Sequence, residues 1–520
     1  MSRGKSPVFG TQGTPVPFVW LLLTLGWSPS IHAAVWEQKI NSFFGQINQS
    51  WGGILFWSDH PLQLPLILIV MIFGGLFFTF KYGFINVRLF KHAFDVIRGK
   101  FDKKHNAGEI THFQALTSAL SATVGIGNIG GVAIAVSLGG PGVVFWLWVV
   151  AFFGMSMKFS SCTLAQYYRD VDTKGNVLGG PMVYLAKGFS EKHVSMRIFG
   201  KGLSIIFAVF TIVASFGGGN LFQGNQTFEV IQSQFPSTAN YGWLVGLILA
   251  ICIGAVIIGG IKRIGEVTGK MVPAMCVLYC GCCITIIASN SSHLGSTIYS
   301  IFTEAFQPDA LWAGGFMGVL IQGMRRASFS NEAGIGSASI AHAAAKTDQP
   351  VREGVVSMIG PFIDTHIVCT MTALTILTTG AHLDPLLTGK GAAITAKAFG
   401  QSGSMMPLFL MLAAIIFAYS TAVSWYYYGE KAVQFLFGMR HILTYRIVYV
   451  SIAALGPILE LGQVIDFSDI MLLSMAFPNI IGMVFLSGQV KALIGPYMKL
   501  IAKEQHTMHA HKLKQTPAKG

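Results

Sequence analysis

Two stretches of this 520-residue chain place glycines, hydroxyls and charges in the middle of apolar runs. The first, 117–131, holds Thr117, Ser118, Ser121, Thr123, Gly125, Gly127, Asn128, Gly130 and Gly131. The second, 323–337, carries Arg325, Arg326, Ser328, Ser330, Asn331 and Glu332 among four further glycines and serines. A helix broken at such a place aims two half-helix ends at one point. Amide ends favour an anionic group and carbonyl ends favour a cation. That pair of ends suits a zwitterion held beside a metal cation, which is binding chemistry rather than bond-making. No H-E-x-x-H, G-x-S-x-G or P-loop pattern occurs. Asp364 and His366 are two apart on a helix and so diverge.

Within the first stretch, the amides around Gly125, Gly127 and Asn128 can meet a carboxylate, with glycine letting the backbone approach. Asn128 offers both a donor and an acceptor, or caps the second half-helix. Glu332 and Asp364 are acids at membrane depth, and such acids are functional by default. They are expected to pair with Arg325 or Arg326 as a gate or structural lock, and Lys158 and Glu229 to pair or snorkel in the same way. Thr421 and Trp425 are four apart and share a helix face, while Tyr426, Tyr427 and Tyr428 are expected in an interfacial belt. Gln223, alone in an apolar helix, reads as an interhelical hydrogen bond. Each break has a plainer reading too. The glycine run fits close helix packing, and the charged stretch fits a cytoplasmic loop.

The elements that must position these residues are transmembrane helices. Apolar residues make up 52% of the chain and charged ones 11%, which excludes a soluble enzyme and a disordered chain. Eleven apolar stretches of spanning length follow a signal-like leader: 62–86, 112–138, 141–168, 203–231, 241–260, 270–289, 311–345, 353–379, 405–430, 442–457 and 467–490. The leader, 1–33, has Arg3 and Lys5, an apolar run and Ile31-His32-Ala33, as in a secretory signal peptide. With the basic 87–110 loop inside, alternation puts 25 Lys and Arg in cytoplasmic segments against three outside. The mature amino terminus is then outside, and the carboxyl terminus is in the cytoplasm of a bacterial-type inner membrane. The net charge of +13 thus reflects topology, with no nucleic-acid partner. The seven cysteines lie in apolar segments without metal-site spacing and read as packing residues.

The two breaks fall in the first and sixth of ten core helices, equivalent places in two five-helix halves of inverted topology. The expected layout is an amino-terminal segment and extra helix with a basic loop (34–110), a first repeat (111–289), a second repeat (310–490) and a basic cytoplasmic tail (491–520) that is disordered after Lys499. A transporter is the main reading. A channel remains an alternative, because glycine-rich segments also line pores.

Several motifs resemble the alanine/glycine:cation symporters (sodium:alanine symporters). They are Ser121-Ala122-Thr123-Val124-Gly125-Ile126-Gly127-Asn128-Ile129-Gly130-Gly131, Gly139-Gly140-Pro141-Gly142, Gly179-Gly180-Pro181-Met182, Arg325-Arg326 with Phe329-Ser330-Asn331-Glu332, and Phe362-Ile363-Asp364-Thr365. The resemblance covers roughly 80–490. It implies an all-α leucine-transporter-type fold of inverted five-helix repeats plus one extra amino-terminal helix. It also implies uptake of a small neutral amino acid driven by sodium, with a proton as the other candidate coupling ion, no organic cofactor and a functional monomer. Substrate contacts would come from Gly125, Gly127, Asn128, Gln223, Phe329, Thr421 and Trp425. Sodium would take oxygens of Val124, Gly127, Thr421 and Ser424. Ile126, Ala327, Phe222 and Gly224 depart from the family's usual residues and bear on pocket shape.

Overall fold

The computed structural model describes residues 42–58, 64–102, 106–192, 194–306, 323, 330–459 and 462–515. The leader 1–33, residues 311–322 and 324–329 of the stretch 311–345, and with them the candidate residues Arg325, Arg326 and Phe329 lie outside the described residues. Among the described residues, eight helices are long and apolar enough to cross a membrane, or nine if one sharply bent pair counts as a span. The chain is therefore a multi-pass membrane protein. The eight coincide with expected spans, several running past the expected ends. The bent pair is the expected 112–138 span, and the expected first span appears as the shorter apolar helix Leu66–Lys81.

The helices used below are α1 (Leu66–Lys81), α2 (His112–Thr123), α3 (Val132–Gly139), α4 (Val143–Tyr168), α5 (Pro181–Lys192), α6 (Arg197–Phe216), α7 (Phe222–Gln234), α8 (Gly242–Ile257), α9 (Gly260–Ser289), α10 (Ala338–His342), α11 (Pro350–Ser357), α12 (Thr370–Thr379), α13 (Gly391–Gly400), α14 (Met406–Phe437), α15 (Ile442–Leu455), α16 (Gly462–Ser474) and α17 (Ala476–Gln515). Helix α2 starts at a capping box: the Thr111 hydroxyl accepts from the Gln114 amide and the Gln114 side chain accepts from the Thr111 amide. It stops at Val124, whose ψ of 96° is extended. The chain resumes through a wide π-type turn, Gly127–Gly131, into α3, and the two halves bend by 55°.

Glycines set the closest helix crossings. An added Cβ at Gly246 of α8 would collide with the Ala454 carbonyl of α15, and one at Gly429 of α14 with the Tyr445 hydroxyl. Lipid-facing surface is apolar, as Trp243, Leu247 and Ile251 on α8 illustrate.

One element is added and two expectations change. The segment between the expected spans 353–379 and 405–430 contains α13, which packs on the first break; the Thr395 hydroxyl donates to the Ile129 carbonyl at 3.2 Å. The basic tail is helical through Gln515 rather than disordered, because its Lys, Glu, Gln and Ala residues favour helix. Glu504 also docks on Arg352 at 2.8 Å. Tyr426, Tyr427 and Tyr428 are buried and form no interfacial belt, since α14 runs on to Phe437 and carries them inside the bundle.

Candidate functional site

The second break is legible in its described part. Helix ends at Asn331, and α10 resumes at Ala338. Between them Glu332, Gly334 and Gly336 have φ of 51°, 87° and 96°. Left-handed backbone at a glutamate is strained, and such strain clusters at functional sites. A helical path through this point is closed off, because alternate residues turn the chain the other way.

The two breaks touch. Asn128 Nδ2 donates to Ser330 Oγ at 2.9 Å and to Asp364 Oδ1 at 2.6 Å. Ser330 Oγ donates to Asp364 Oδ2 at 2.5 Å, and Thr365 Oγ1 to the same oxygen at 2.9 Å. Asp364 sits in a second π-type turn, Phe362–Cys369. Asn128 Oδ1 accepts from the Gly125 amide at 2.9 Å. Asn128 thus spans its own break and pins it to the second. Its side chain is fully buried and is occupied by protein groups.

Beside this hub lies a cavity of about 110 Å³. Gly125 and Gly127 line it from the first break, and Ser330 and Glu332 from the second. Gln223 lines it from α7, Thr421 and Trp425 from α14, and Asp469 from α16. Near Gln223 the chain widens into a third π-type turn, Gly217–Leu221. Gly219 is required there, as an added Cβ would strike the Trp425 side chain. Irregular turns of this kind concentrate at functional sites; two of them line this space, and the third holds Asp364 in the adjoining hub.

Gln223 Nε2 donates to the turn that precedes its own helix, at the Gly218 carbonyl, 2.8 Å away. Its Oε1 is buried and has no hydrogen-bond partner among the described residues. The interhelical bond expected of a lone glutamine is therefore not what holds it, and an acceptor is left at the cavity. Thr421 Oγ1 donates to Ser121 O at 3.0 Å and Phe417 O at 2.9 Å, while Ser121 Oγ donates to Ser420 O at 2.7 Å. These bonds fasten α2 to α14 where the first helix ends. Ser424 Oγ is buried without a partner among the described residues.

The structure thus brings Gly125, Gly127, Gln223, Thr421 and Trp425 to one cavity, and holds Asn128 behind it in the hub. Val124 and Ser424 are buried and do not line it. The described donors to Asp364 are Asn128, Ser330 and Thr365, and Glu332 accepts from Ser337. These hydrogen-bond partners are uncharged; Arg325 and Arg326, the ion-pair partners expected for the two acids, lie outside the described residues. Lys158 Nζ donates to the Asn331 carbonyl at 2.9 Å, so it supports the second break. Asp469 was missed by sequence reasoning, although the rule that flags Glu332 and Asp364 applies to it equally. With Glu332 it puts a second acid on the cavity lining, and no basic side chain is among the described lining residues.

Comparison with known proteins gives a consistent picture. The family model described as the sodium:alanine symporter family matches residues 49–512. The sodium/alanine symporter AgcS of Methanococcus maripaludis is 42% identical over 82% of this chain and 92% of that protein. The probable sodium/glutamine symporter GlnT of Bacillus subtilis is 33% identical over 86% and 89%. The putative sodium/proton-dependent alanine carrier protein YrbD, also of Bacillus subtilis, is 33% identical over 71% and 76%. The crystal structure of MhsT with L-phenylalanine superposes with a TM-score of 0.49 at 13% identity, over 73% of this chain and 98% of that one. With the family model covering nearly the whole chain and both breaks inside the match, this protein belongs to the sodium:alanine symporter family.

Proposed function

We propose that the chain is a sodium-coupled symporter that imports small neutral amino acids, alanine or glycine, by alternating access. The observation that carries this reading is the polar cavity shared by two interrupted membrane segments, pinned together by Asn128 and Ser330. In this reading residues 111–289 and 310–490 are inverted five-helix repeats, preceded by the extra helix within 34–110 and followed by the cytoplasmic segment 491–520. The protein works as a monomer, with its mature amino terminus outside.

The chemistry assigns each end of the ligand. The first turn of a helix leaves amides without partners inside the helix. The Gly125 amide is taken by Asn128, so the substrate carboxylate meets the amides of Ile126 and Gly127. The ammonium group meets Gln223 Oε1 and the Glu332 carboxylate, with Asp469 on the same lining. Trp425 and Phe329 limit side-chain size, and the cavity volume favours a small one. Sodium is held by carbonyls of Val124 and Gly127 with hydroxyls of Thr421 and Ser424. The Ser424 hydroxyl, buried without a partner among the described residues, supports its inclusion. Sodium there bridges α14 and the end of α2 and orders the turn that forms the carboxylate site, so neither ligand binds well alone. Arg325 and Arg326 serve Glu332 and Asp364 as gate partners.

With both ligands in place, the broken helices and their partners α4 and α11 rock against a scaffold containing α6, α7, α8, α14 and α15. The membrane potential contributes about 2.3 kcal/mol per charge per 100 mV. The test is radiolabelled alanine uptake into proteoliposomes under imposed sodium and proton gradients. Saturable uptake that follows the sodium gradient is expected. Uptake indifferent to both gradients refutes symport, and non-saturating flux favours a channel.

A further inference from the structure

The bundle end that the charge count assigns to the cytoplasm holds a group of buried titratable side chains that the transport site does not use. His112 opens α2, His342 closes α10 and Glu353 lies in the first turn of α11. Their side chains are 2%, 0% and 0% exposed. His112 Nδ1 contacts one carboxylate oxygen of Glu353, and His342 Nδ1 lies 2.5 Å from the other. One carboxylate therefore joins the start of the first broken span to the end of the second.

The flanking backbone is zipped as well. Glu109 N donates to Ala344 O at 2.8 Å, Lys346 N to Ile110 O at 2.8 Å, and Thr347 N to Ala107 O at 3.2 Å. From α4, Gln166 Nε2 donates to His342 O at 2.6 Å. Arg169, just past α4, donates to the carbonyls of Ala343 at 2.8 Å, Ala345 at 2.6 Å, and Ala107 and Thr347 at 2.8 Å each. Four segments converge here: α2, α4, α10 and α11. They are the same four that move together in the rocking mechanism. None of these bonds reaches α6, α7, α8, α14 or α15, so the cluster does not straddle mover and scaffold as a gate would.

We propose that Glu353, with His112, His342 and Arg169, is a tie that makes the two broken spans and their partner helices move as one rigid body. The proposal rests on the alternating-access reading above. Glu353 is a positioning residue, which touches no ligand and acts through the segments it joins. With both imidazoles protonated on Nδ1, a carboxylate gives each N–H its own acceptor oxygen. A glutamine offers one acceptor and one donor, so one imidazole must carry its proton on Nε2 instead, which in both histidines is buried without a hydrogen-bond partner among the described residues, and buried unsatisfied donors are costly.

The test uses the full chain in detergent and in proteoliposomes. In E353Q, equilibrium binding of labelled alanine at saturating sodium stays within about twofold of wild type, because the cavity is untouched. Initial sodium-driven uptake falls by about tenfold or more, and more sodium crosses per alanine, because the half-helices no longer move in step. H342N, which keeps an amide donor near the Nδ1 position, restores most of the rate, whereas H342A does not. If E353Q does not fold, the H342N and H342A pair decides the matter alone. Wild-type rate and ion stoichiometry in E353Q or H342A overturn the proposal. So does an equal fall in binding and uptake at unchanged stoichiometry, which marks general destabilisation. Wild-type liposomes without sodium- or proton-driven amino-acid uptake would instead remove the transport reading, and the tie would fall with it.

Discussion

Gly127 separates folding from function at one position. It begins the wide turn after the first break, lines the cavity, and an added Cβ there would find no atom within 4 Å. The substitution G127A therefore meets no protein and enters only the space proposed for the ligand. For the fold, alanine narrows the freedom of the unfolded chain at a compatible backbone position and stabilises by about 0.4–1 kcal/mol. For the ligand, one methyl group intrudes into about 110 Å³. Size discrimination by one methylene is typically about 1–3 kcal/mol, or roughly 10–200-fold. Alanine should lose affinity by that factor, and glycine, one methyl smaller, by much less. Thermal unfolding in detergent, with competition of alanine and glycine against labelled substrate, measures both effects. A raised or unchanged Tm with a selective loss of alanine is expected. An unchanged alanine affinity would refute the placement of the substrate, and a lowered Tm would refute the backbone reading. At Gly125 the same methyl lies 3.0 Å from Thr421 Oγ1, so G125A should cost stability as well and serves as the contrast.

Three further outcomes follow from the geometry. Q223L removes a cavity acceptor with no described partner and should raise the KM for amino acid about tenfold with little change in Tm; an unchanged KM removes Gln223 from the site. G391A places a methyl group against the Gly130 carbonyl, so α13 should lose its seat on the first break at a cost of about 1–3 kcal/mol, read as a lowered Tm; wild-type stability would show that this contact can relax. At the end of the bundle that carries the basic 87–110 segment, burial and then the neighbouring Arg352 guanidinium push His92 down to about 4 from its ordinary 6.5. The unfolded chain therefore binds more protons in that window, so stability is full above pH 6.5 and declines as pH falls towards 4. H92Q should flatten that part of the Tm-against-pH curve, and parallel curves for the two proteins would contradict the assignment.

Much of this arrangement was legible before any fold was in hand. Apolar stretch length and the placement of Lys and Arg located the spans, because hydrocarbon tolerates neither charge nor open backbone. Glycine and asparagine at 125–131 marked the first break, and Thr421 and Trp425 shared a face by spacing alone. Less legible were Asn128 and Asp469. Asn128 has the chemistry of a ligand, yet its partners are Gly125, Ser330 and Asp364, one of them local and two of them more than 200 positions away. Asp469 sits in an ordinary-looking last span, and its place at the cavity comes from how α16 crosses the bundle.

Local composition, then, determined that this chain enters the bilayer as helices and that two of its segments are interrupted, since both follow from solvation of backbone and charge over a few turns. Which polar groups face the cavity, which satisfy each other behind it, and that two histidines share one carboxylate at the far end were decided only by tertiary packing. Hydrogen bonds act over about 3 Å, and contacts that short between residues hundreds of positions apart exist only once the helices are in place.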